Sequence, residues 1–403
     1  MSIDYENFDT VTWFTSTPVS FGGGSDFFCR DSGLVCKGLQ SIGLPCKSIM
    51  PLPEHPEDIK SDLIRTDIRD LSDPDWWRSI NAHKVVLYSW AHFKYWHIAE
   101  ALRDSGAQVL INLDGGGIMS PTLLPSLYYH AVISKYIRLH GYFGGCISGL
   151  LRSAFYRIYI PYFQEPGRIR HLRAATAIGC VTPGSLALWR MWARANSPDL
   201  VDRMHLVPNP VSDELRYNNT ILKLDSVIAV GRWNDIETKR PALLAAIIMA
   251  AATIRPTTHF HIFGNPGAIL SSWHRHLSND FSKRIHIHGQ VPHSEIIDCF
   301  KQSRVCLCSS SHEGSHVSSE EALCAGASIV APARPELNAM HWYISHDSGR
   351  LAVDDSVCGI SEALLLELEA WDRGERDPIS ISSHWSSLLL ASSVANTVKC
   401  LLS

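Results

Sequence analysis

Short apolar runs alternate with amphipathic stretches along almost the whole chain. In the first half, Val11–Thr15, Val85–Trp90, Gln108–Asp114, Ala177–Thr182 and Met204–Pro208 read as buried strands. In the second half the runs are Ser226–Gly231, His259–Gly264, Arg284–His288, Val305–Cys308, Ser328–Ala331 and Arg350–Val353. Between them, stretches such as Pro241–Ala252, Ser294–Ser303 and Ser318–Ala325 repeat apolar residues at helical spacing. Strand, helix, strand repeated this way predicts an α/β architecture of parallel sheets with helices on both faces. Two such sets in 403 residues predict two doubly wound, Rossmann-like domains. The polar, Pro-containing stretch Pro208–Asp225 marks the boundary, giving domains 1–208 and 209–380.

Composition narrows the class. Charged residues make up 19% and the hydrophobic set 45%, which excludes a disordered tail, a coiled coil or a collagen-like chain. The balance of 36 basic against 40 acidic residues argues against wholesale nucleic-acid binding. The 11 cysteines form no Cys-x-x-Cys pair and lie mostly in apolar runs, as reduced core thiols of a cytoplasmic protein do. The first fourteen residues carry Asp4, Glu6 and Asp9 and show no secretory signal. No apolar stretch approaches the roughly 18 residues of a spanning helix, and Gly141–Leu151, the nearest, stops at Arg152.

Four segments carry candidate chemistry. Gly22, Gly23 and Gly24 lie between a strand and an apolar-periodic helix, where backbone N–H groups can approach a phosphate. A flexible turn is the plainer reading. Asp114 opens a second glycine run, Gly115–Gly117, at a strand's carboxyl end, and is either a polar group in the cleft or a turn cap. Arg232, Lys239 and Arg240 follow the strand 226–231 and precede a helix, an arrangement suited to a diphosphate. Solvated surface cations are the alternative. The richest segment runs from Ser309 through Glu313, Gly314, Ser315, His316, Val317, Ser318 and Glu321 to Gly326. Helix-terminal N–H groups there could face a phosphate while a carboxylate accepts from sugar hydroxyls. Ser318-x-x-Glu321 is equally a capping box, and spacing alone favours the cap.

Together these residues resemble the retaining glycosyltransferases of family 4, which have the GT-B fold of two Rossmann-like domains facing a central cleft. The family's Glu, seven residues, Glu-Ala and later Gly read here as Glu313, Glu321-Ala322 and Gly326. Its Gly-Arg followed by Lys matches Gly231-Arg232 and Lys239, and its Gly-x-Val loop is similar to Gly289-Gln290-Val291. Its Asn-Gly-Val-Asp element is met with two departures by Asn209-Pro210-Val211-Ser212. The segment around Trp385 resembles the helix, residues 381–403, that crosses back to the first domain.

The resemblance implies roles. Arg232 and Lys239 would hold the diphosphate and stabilise the leaving group, with Glu313 near the donor sugar and Glu321 on the ribose. Residues Gly314–Ser318, Val291 and the Gly22–Gly24 loop would complete the donor site. Asp114 stands where the family often has a sugar-contacting His, and Ser315-His316-Val317-Ser318 replaces an aromatic-Gly-Leu-Pro run, both pointing to an unusual donor or orientation. The expected activity is transfer of a sugar, with retention, from a nucleotide-diphosphate sugar to a glycan or lipid-linked acceptor. Family 4 chemistry works by front-face transfer. No Asp-x-Asp is presented for a metal, so the cations would take that role and no cofactor is expected. Two rivals keep the fold: a non-catalytic nucleotide-sugar-binding subunit and a sugar-nucleotide epimerase.

Residues 131–196 hold nine Lys or Arg against one acid, Glu165, interleaved with aromatics such as Tyr142, Phe143, Phe155, Trp189 and Trp192. That suits an anionic membrane surface met peripherally from the inner face, or an anionic acceptor, or else a helical layer whose aromatics are core. Single-stranded nucleic acid fits poorly, since the donor site already explains the nucleotide chemistry. His259 with His261, and His286 with His288, alternate along strands without a third ligand, so they read as structural or cleft residues.

Overall fold

The computed structural model describes residues 11–113, 125–334 and 338–403. The chain divides into two units. One takes the chain up to Phe27, Leu39–Pro208 and Asn396–Ser403, and the other takes Phe28–Gly38 and Asn209–Ala395.

The first unit is built on a seven-stranded sheet. Its strands are β1 (Trp13–Ser16), β2 (Cys46–Pro51), β3 (Leu63–Thr66), β4 (Lys84–Tyr88), β5 (Gln108–Leu113), β6 (Ala177–Cys180) and β7 (Met204–Leu206). Their order is β3-β2-β1-β4-β5-β6-β7, and every pairing is parallel. The expected strands are all present. β2 and β3 were not expected, because Cys46-Lys47-Ser48-Ile49-Met50-Pro51 has neither alternation nor a β-branched run. Sheet pairing supplies what propensity lacks: Ser48 faces Leu63, and the Thr15 and Ser48 hydroxyls hydrogen bond at 2.7 Å. β4 ends short of Trp90 because Trp90 and Ala91 take positive φ (54° and 49°), which no strand accommodates. Phe14, Trp77, Leu87, Ile111 and Trp192 pack in one core between this sheet and its helices.

The basic, aromatic stretch 131–196 splits in two. Trp189 and Trp192 belong to the core, and Glu165, buried, accepts from Trp192 Nε1 at 2.9 Å and from Arg168 at 2.5 Å. Arg170 pairs with Glu100 and Arg173 with Asp199. The C-terminal half of the stretch is therefore spent on packing, and the expected surface shrinks to the helices before Glu165.

The second unit holds a six-stranded sheet of β8 (Leu224–Val230), β9 (His259–Phe263), β10 (Ile285–Gly289), β11 (Ser303–Leu307), β12 (Ser328–Ala331) and β13 (Gly349–Leu351). The order is β10-β9-β8-β11-β12-β13, again wholly parallel. Ile228, Phe260, Phe300, Ile329 and Trp385 share its core. Trp385, in the helix Pro378–Leu389, packs edge-on against Trp342 and Tyr343. That helix needs Gly326: at φ 72° a Cβ there would sit 2.5 Å from the Pro378 carbonyl oxygen. Lys223 is buried and donates to the carbonyls of Phe300 (3.2 Å), Ser303 (2.8 Å) and Ala325 (2.8 Å). These carbonyls lie at the carboxyl ends of the helices His293–Gln302 and Val317–Cys324, and burial pulls the Lys223 amine that they hold well below its ordinary range.

Candidate functional site

In the second sheet the connections leave β8 and β11 toward opposite sides, so the carboxyl ends of these two neighbours form a topological switch point, the usual ligand crevice of an open α/β sheet. The segments that follow those two strands carry the candidate residues. After β8 come Gly231, Arg232, the short helix Ile236–Lys239, Arg240 and the helix Pro241–Ile254. After β11 come the loop 308–316 and the helix Val317–Cys324.

Lys239 Nζ lies 2.5 Å from Glu313 Oε1, with the side chains 12% and 14% exposed. Ser310 Oγ donates to the same Glu313 oxygen at 2.7 Å. The two loops are stitched together beneath the pair. Ser309 Oγ donates to the Lys239 carbonyl (2.7 Å) and the Ser311 N–H to the Thr238 carbonyl (2.8 Å). Arg240, next to Lys239, donates to the carbonyls of Ser309 (2.6 Å) and Ser310 (3.0 Å) and pairs with Asp355 at 2.7 Å. It does so from a left-handed backbone (φ 51°), a conformation costly for a residue with a Cβ and held here by those bonds and by Pro241 at the next helix start.

Burial opposes a charge on Glu313, yet its carboxyl is held below the usual range by charge on His316, the Lys239 ammonium and the hydrogen bonds from Lys239 and Ser310. Burial pulls His316 down to about 4, so at neutral pH that ring carries no charge and Lys239 is the operative partner. His316 Nδ1 shares a 2.8 Å hydrogen bond with Ser319 Oγ.

The capping box does not form. The helix begins at Val317 with His316 at its N-cap, which places Ser318 and Glu321 inside the helix. The Ser318 hydroxyl donates to the Val230 carbonyl at the end of β8 (3.3 Å), and Glu321 Oε1 meets His293 Nε2 at 2.6 Å. Burial disfavours charge on His293, but hydrogen bonds with Cys29 and Glu321 and the Glu321 charge raise it to about 10, so the pair is an ion pair at neutral pH. Next to it Glu320, buried, accepts from Tyr343 OH at 2.5 Å and Ser315 Oγ at 2.7 Å, which fixes the loop before the helix. His293, Ser310 and Asp355 are the residues that sequence reasoning missed. His293 sits one residue past the Gly289-Gln290-Val291-Pro292 loop, but a partner 28 positions away leaves no local signal.

The remaining candidates are placed as follows. Arg232 is exposed, and its guanidinium has no hydrogen bond or ion pair among the described residues. Val291 packs partly buried against the core beside Gly289, which closes β10 at φ 72°. Gly314, Ser315 and Val317 are partly buried around the helix start. In the first unit, Gly23 and Gly24 are required by close packing: added Cβ atoms would meet Asp58 Oδ1 at 2.1 Å and Glu57 Cβ at 2.9 Å. Arg65 ties that loop down, donating to Ser20 Oγ (2.9 Å) and the Phe21 carbonyl (3.2 Å) while paired with buried Asp58. Of the two carboxylates beside Gly23 and Gly24, Asp58 is thus neutralised by Arg65. Asp114 lies outside the described residues, as does the glycine run after it.

An Asp-x-Asp triplet does occur at Asp73-Pro74-Asp75, but Asp73 caps the helix Pro74–Ser79 and Asp75 pairs with Arg78, so it is spent on the helix start. The four strand histidines form a ladder. His259 bonds His286 at 3.2 Å and His261 bonds His288 at 3.0 Å, with His288 stacked on Phe263 at 4.3 Å. Among the described residues no three His, Cys, Asp or Glu side chains gather as a metal site.

Residues 225–366 match the family model described as glycosyl transferases group 1, a span containing Arg232, Lys239, Glu313 and Glu321. No curated protein sequence matches the chain at a significant level. Solved structures align over nearly all of it at low identity. The pneumococcal O-GlcNAc transferase GtfA, crystallised with UDP and GlcNAc, is 11% identical with a TM-score of 0.63, covering 97% of this chain and 99% of that one. HepE of Anabaena, in complex with UDP, gives 10%, 0.62, 97% and 99%. The sucrose-phosphate synthase of Thermosynechococcus elongatus gives 14%, 0.58, 97% and 98%. The chain thus has the GT-B fold of two Rossmann-like α/β units, and its stretch 225–366 matches the glycosyl transferases group 1 family.

Proposed function

We propose that this protein is a glycosyltransferase that moves a sugar, with retention and without a metal ion, from a nucleotide-diphosphate sugar to a glycan or lipid-linked acceptor. The observation that carries the reading is the Lys239–Glu313 pair at the β8/β11 switch point, beside the N-terminus of the helix Val317–Cys324 and within the family-matched stretch. Departure of the sugar builds negative charge on the leaving diphosphate, and preorganised cations with helix-terminal N–H groups stabilise that charge. In this reading Lys239 and the uncommitted Arg232 meet the diphosphate, and Glu313 orients the Lys239 ammonium and faces the donor sugar. Glu321, whose Oε1 is taken by His293, offers its other oxygen to the ribose hydroxyls.

Several structural neighbours were crystallised with UDP, which makes UDP sugars the first donors to try. A thermal-shift screen against UDP, GDP, ADP, dTDP and their sugars, with and without EDTA, tests the proposal. A rise in melting temperature with one diphosphate series, unchanged by EDTA and accompanied by sugar release or transfer, supports it. Binding without turnover points to the non-catalytic subunit, exchange at the sugar's carbon 2 points to an epimerase, and no shift with any nucleotide overturns the donor site.

A further inference from the structure

The strongest feature outside the candidate site is a helical hairpin in the first unit that is built inside out. The helices Pro125–His140 and Tyr142–Tyr159 are joined at Gly141, which takes φ 73°. The second helix turns small residues toward the first. Gly145, Gly149 and Ser153 are its buried positions, four apart. A Cβ on Gly145 would lie 2.1 Å from the Ile137 Cα, and one on Gly149 would lie 2.9 Å from the Ile133 Cα. Backbone meets backbone along this seam, the close packing that small-residue stripes permit between helices in lipid.

The large side chains consequently point away from the seam. Phe143, Ile147, Leu150, Leu151 and Ile158 are between 59% and 83% exposed, which is the reverse of a water-facing amphipathic helix. Projected at about 100° per residue, these five fall within an arc of about 100° opposite the small-residue seam. Both arginines are exposed: Arg157 falls about 20° beyond one edge of that arc, and Arg152 about 100° beyond the other, toward the seam side. Beyond the helix, Tyr162 and Phe163 continue the exposed surface, with Phe155, Tyr159 and Phe163 stacked in a row at 5.1 and 5.5 Å. Between residues 125 and 164 the sequence has Lys135, Arg138, Arg152 and Arg157 and no Asp or Glu. No helix among the described residues is long and apolar enough to cross a bilayer.

We propose that this hairpin docks on an anionic phospholipid surface. The helix Tyr142–Tyr159 lies in the plane of the interface, its apolar arc reaches the acyl boundary, Arg157 rests among the phosphates at the edge of the arc, and Arg152 adds positive charge farther round the helix. Charge selects this occupant over a second copy of the chain, since two copies meeting through the same arc would bring these cations together with no acid on the hairpin to answer them. Tyrosines at the end of such a face sit where amphipathic rings favour the headgroup level. The proposal does not depend on the reaction assigned to the second unit.

Co-sedimentation of the full chain with vesicles tests it, comparing phosphatidylcholine alone with phosphatidylcholine containing phosphatidylglycerol. The protein is expected to pellet with the anionic vesicles and to be released progressively by salt. The variant Phe143→Ser/Ile147→Ser/Leu151→Ser removes three side chains that are mostly exposed. It should keep the wild-type melting temperature and lose about tenfold or more in partitioning. Arg152→Gln/Arg157→Gln should lose about tenfold at low salt, on the scale of two surface cations. Equal pelleting of the triple variant and the wild type, or a wild type that stays in the supernatant with both vesicles, overturns the proposal. A wild type that is dimeric by light scattering, ignores vesicles and becomes monomeric in the triple variant overturns it in favour of a copy-to-copy interface.

Discussion

Replacing Lys239 by methionine tests the candidate site most sharply, because its two effects have different signatures. Methionine keeps the stem and removes the ammonium that lies 2.5 Å from Glu313. Glu313 then retains the Ser310 hydroxyl as its hydrogen-bond donor, in a position only 14% exposed. Removing one partner of a buried pair costs about 3–5 kcal/mol. With both side chains slightly solvated, the lower end applies, roughly 3 kcal/mol, or a fall in melting temperature of about 3–4 °C at this chain length.

The loss should depend on pH. In the native protein the Glu313 carboxyl is held below its ordinary 4.5, so its contribution is present above that value and fades as pH falls through the lowered one. Without the cation, burial dominates and the carboxyl rises above the ordinary range. The penalty is then full at neutral pH and relieved as acid protonates Glu313. The gap between variant and wild type should therefore narrow on going from about pH 7 to about pH 4.5. Adding Glu313→Gln removes the stranded charge, so the double variant should recover most of the lost stability, a coupling that a double-mutant cycle measures. Thermal unfolding across pH, with nucleotide-diphosphate binding measured by calorimetry, is the assay. Binding should weaken by about 10–100-fold, the loss of one charge-assisted contact, and turnover by about 100-fold or more. A double variant no more stable than Lys239→Met refutes the stranded-charge argument, and unchanged binding and turnover remove Lys239 from the donor site.

Two other substitutions probe the scaffold around that site. His293 is raised to about 10 in the folded chain from an ordinary 6.5, so its contacts with Cys29 and Glu321 together contribute stability that is complete below about pH 6.5 and lost as pH rises through about 10. His293→Gln should flatten the alkaline limb of the stability profile, and should weaken nucleotide binding if Glu321 is the ribose ligand that His293 orients. An unchanged alkaline limb would show that the pair is neutral. Lys223→Met strips three buried carbonyls of their donor and should cost about 3–5 kcal/mol, read by denaturant unfolding. A cost below about 1 kcal/mol would mean that water replaces the Lys223 amine there.

Much of the architecture was legible because parallel strands are buried on both faces and announce themselves as apolar runs. Val227-Ile228-Ala229-Val230 and Ser328-Ile329-Val330-Ala331 are such runs, and order along the chain with helices between them already implied two doubly wound sheets. Cys46–Pro51 and Leu63–Thr66 escaped notice because their strand character comes from neighbours in the sheet. The same limit applies at the site. Residue type and spacing drew attention to Lys239, Glu313 and Glu321, since cations after one strand and carboxylates around a helix start are local patterns, while the family resemblance supplied the roles expected of them.

What those side chains do was decided by contacts across 28 to 115 positions, which no spacing rule reaches. Glu321 pairs with His293 instead of capping its helix, and Arg240 is drawn to Asp355 and two loop carbonyls, leaving Lys239 as the cation facing Glu313. The stretch 131–196 makes the point at larger scale: sequence determined that it is basic and aromatic. Only the tertiary structure decided that Trp189, Trp192 and Glu165 serve the core, while Gly145 and Gly149 close a seam that turns Phe143, Ile147 and Leu151 outward. A side chain's chemistry is local, but whether it is buried, paired or presented depends on which distant backbone arrives beside it.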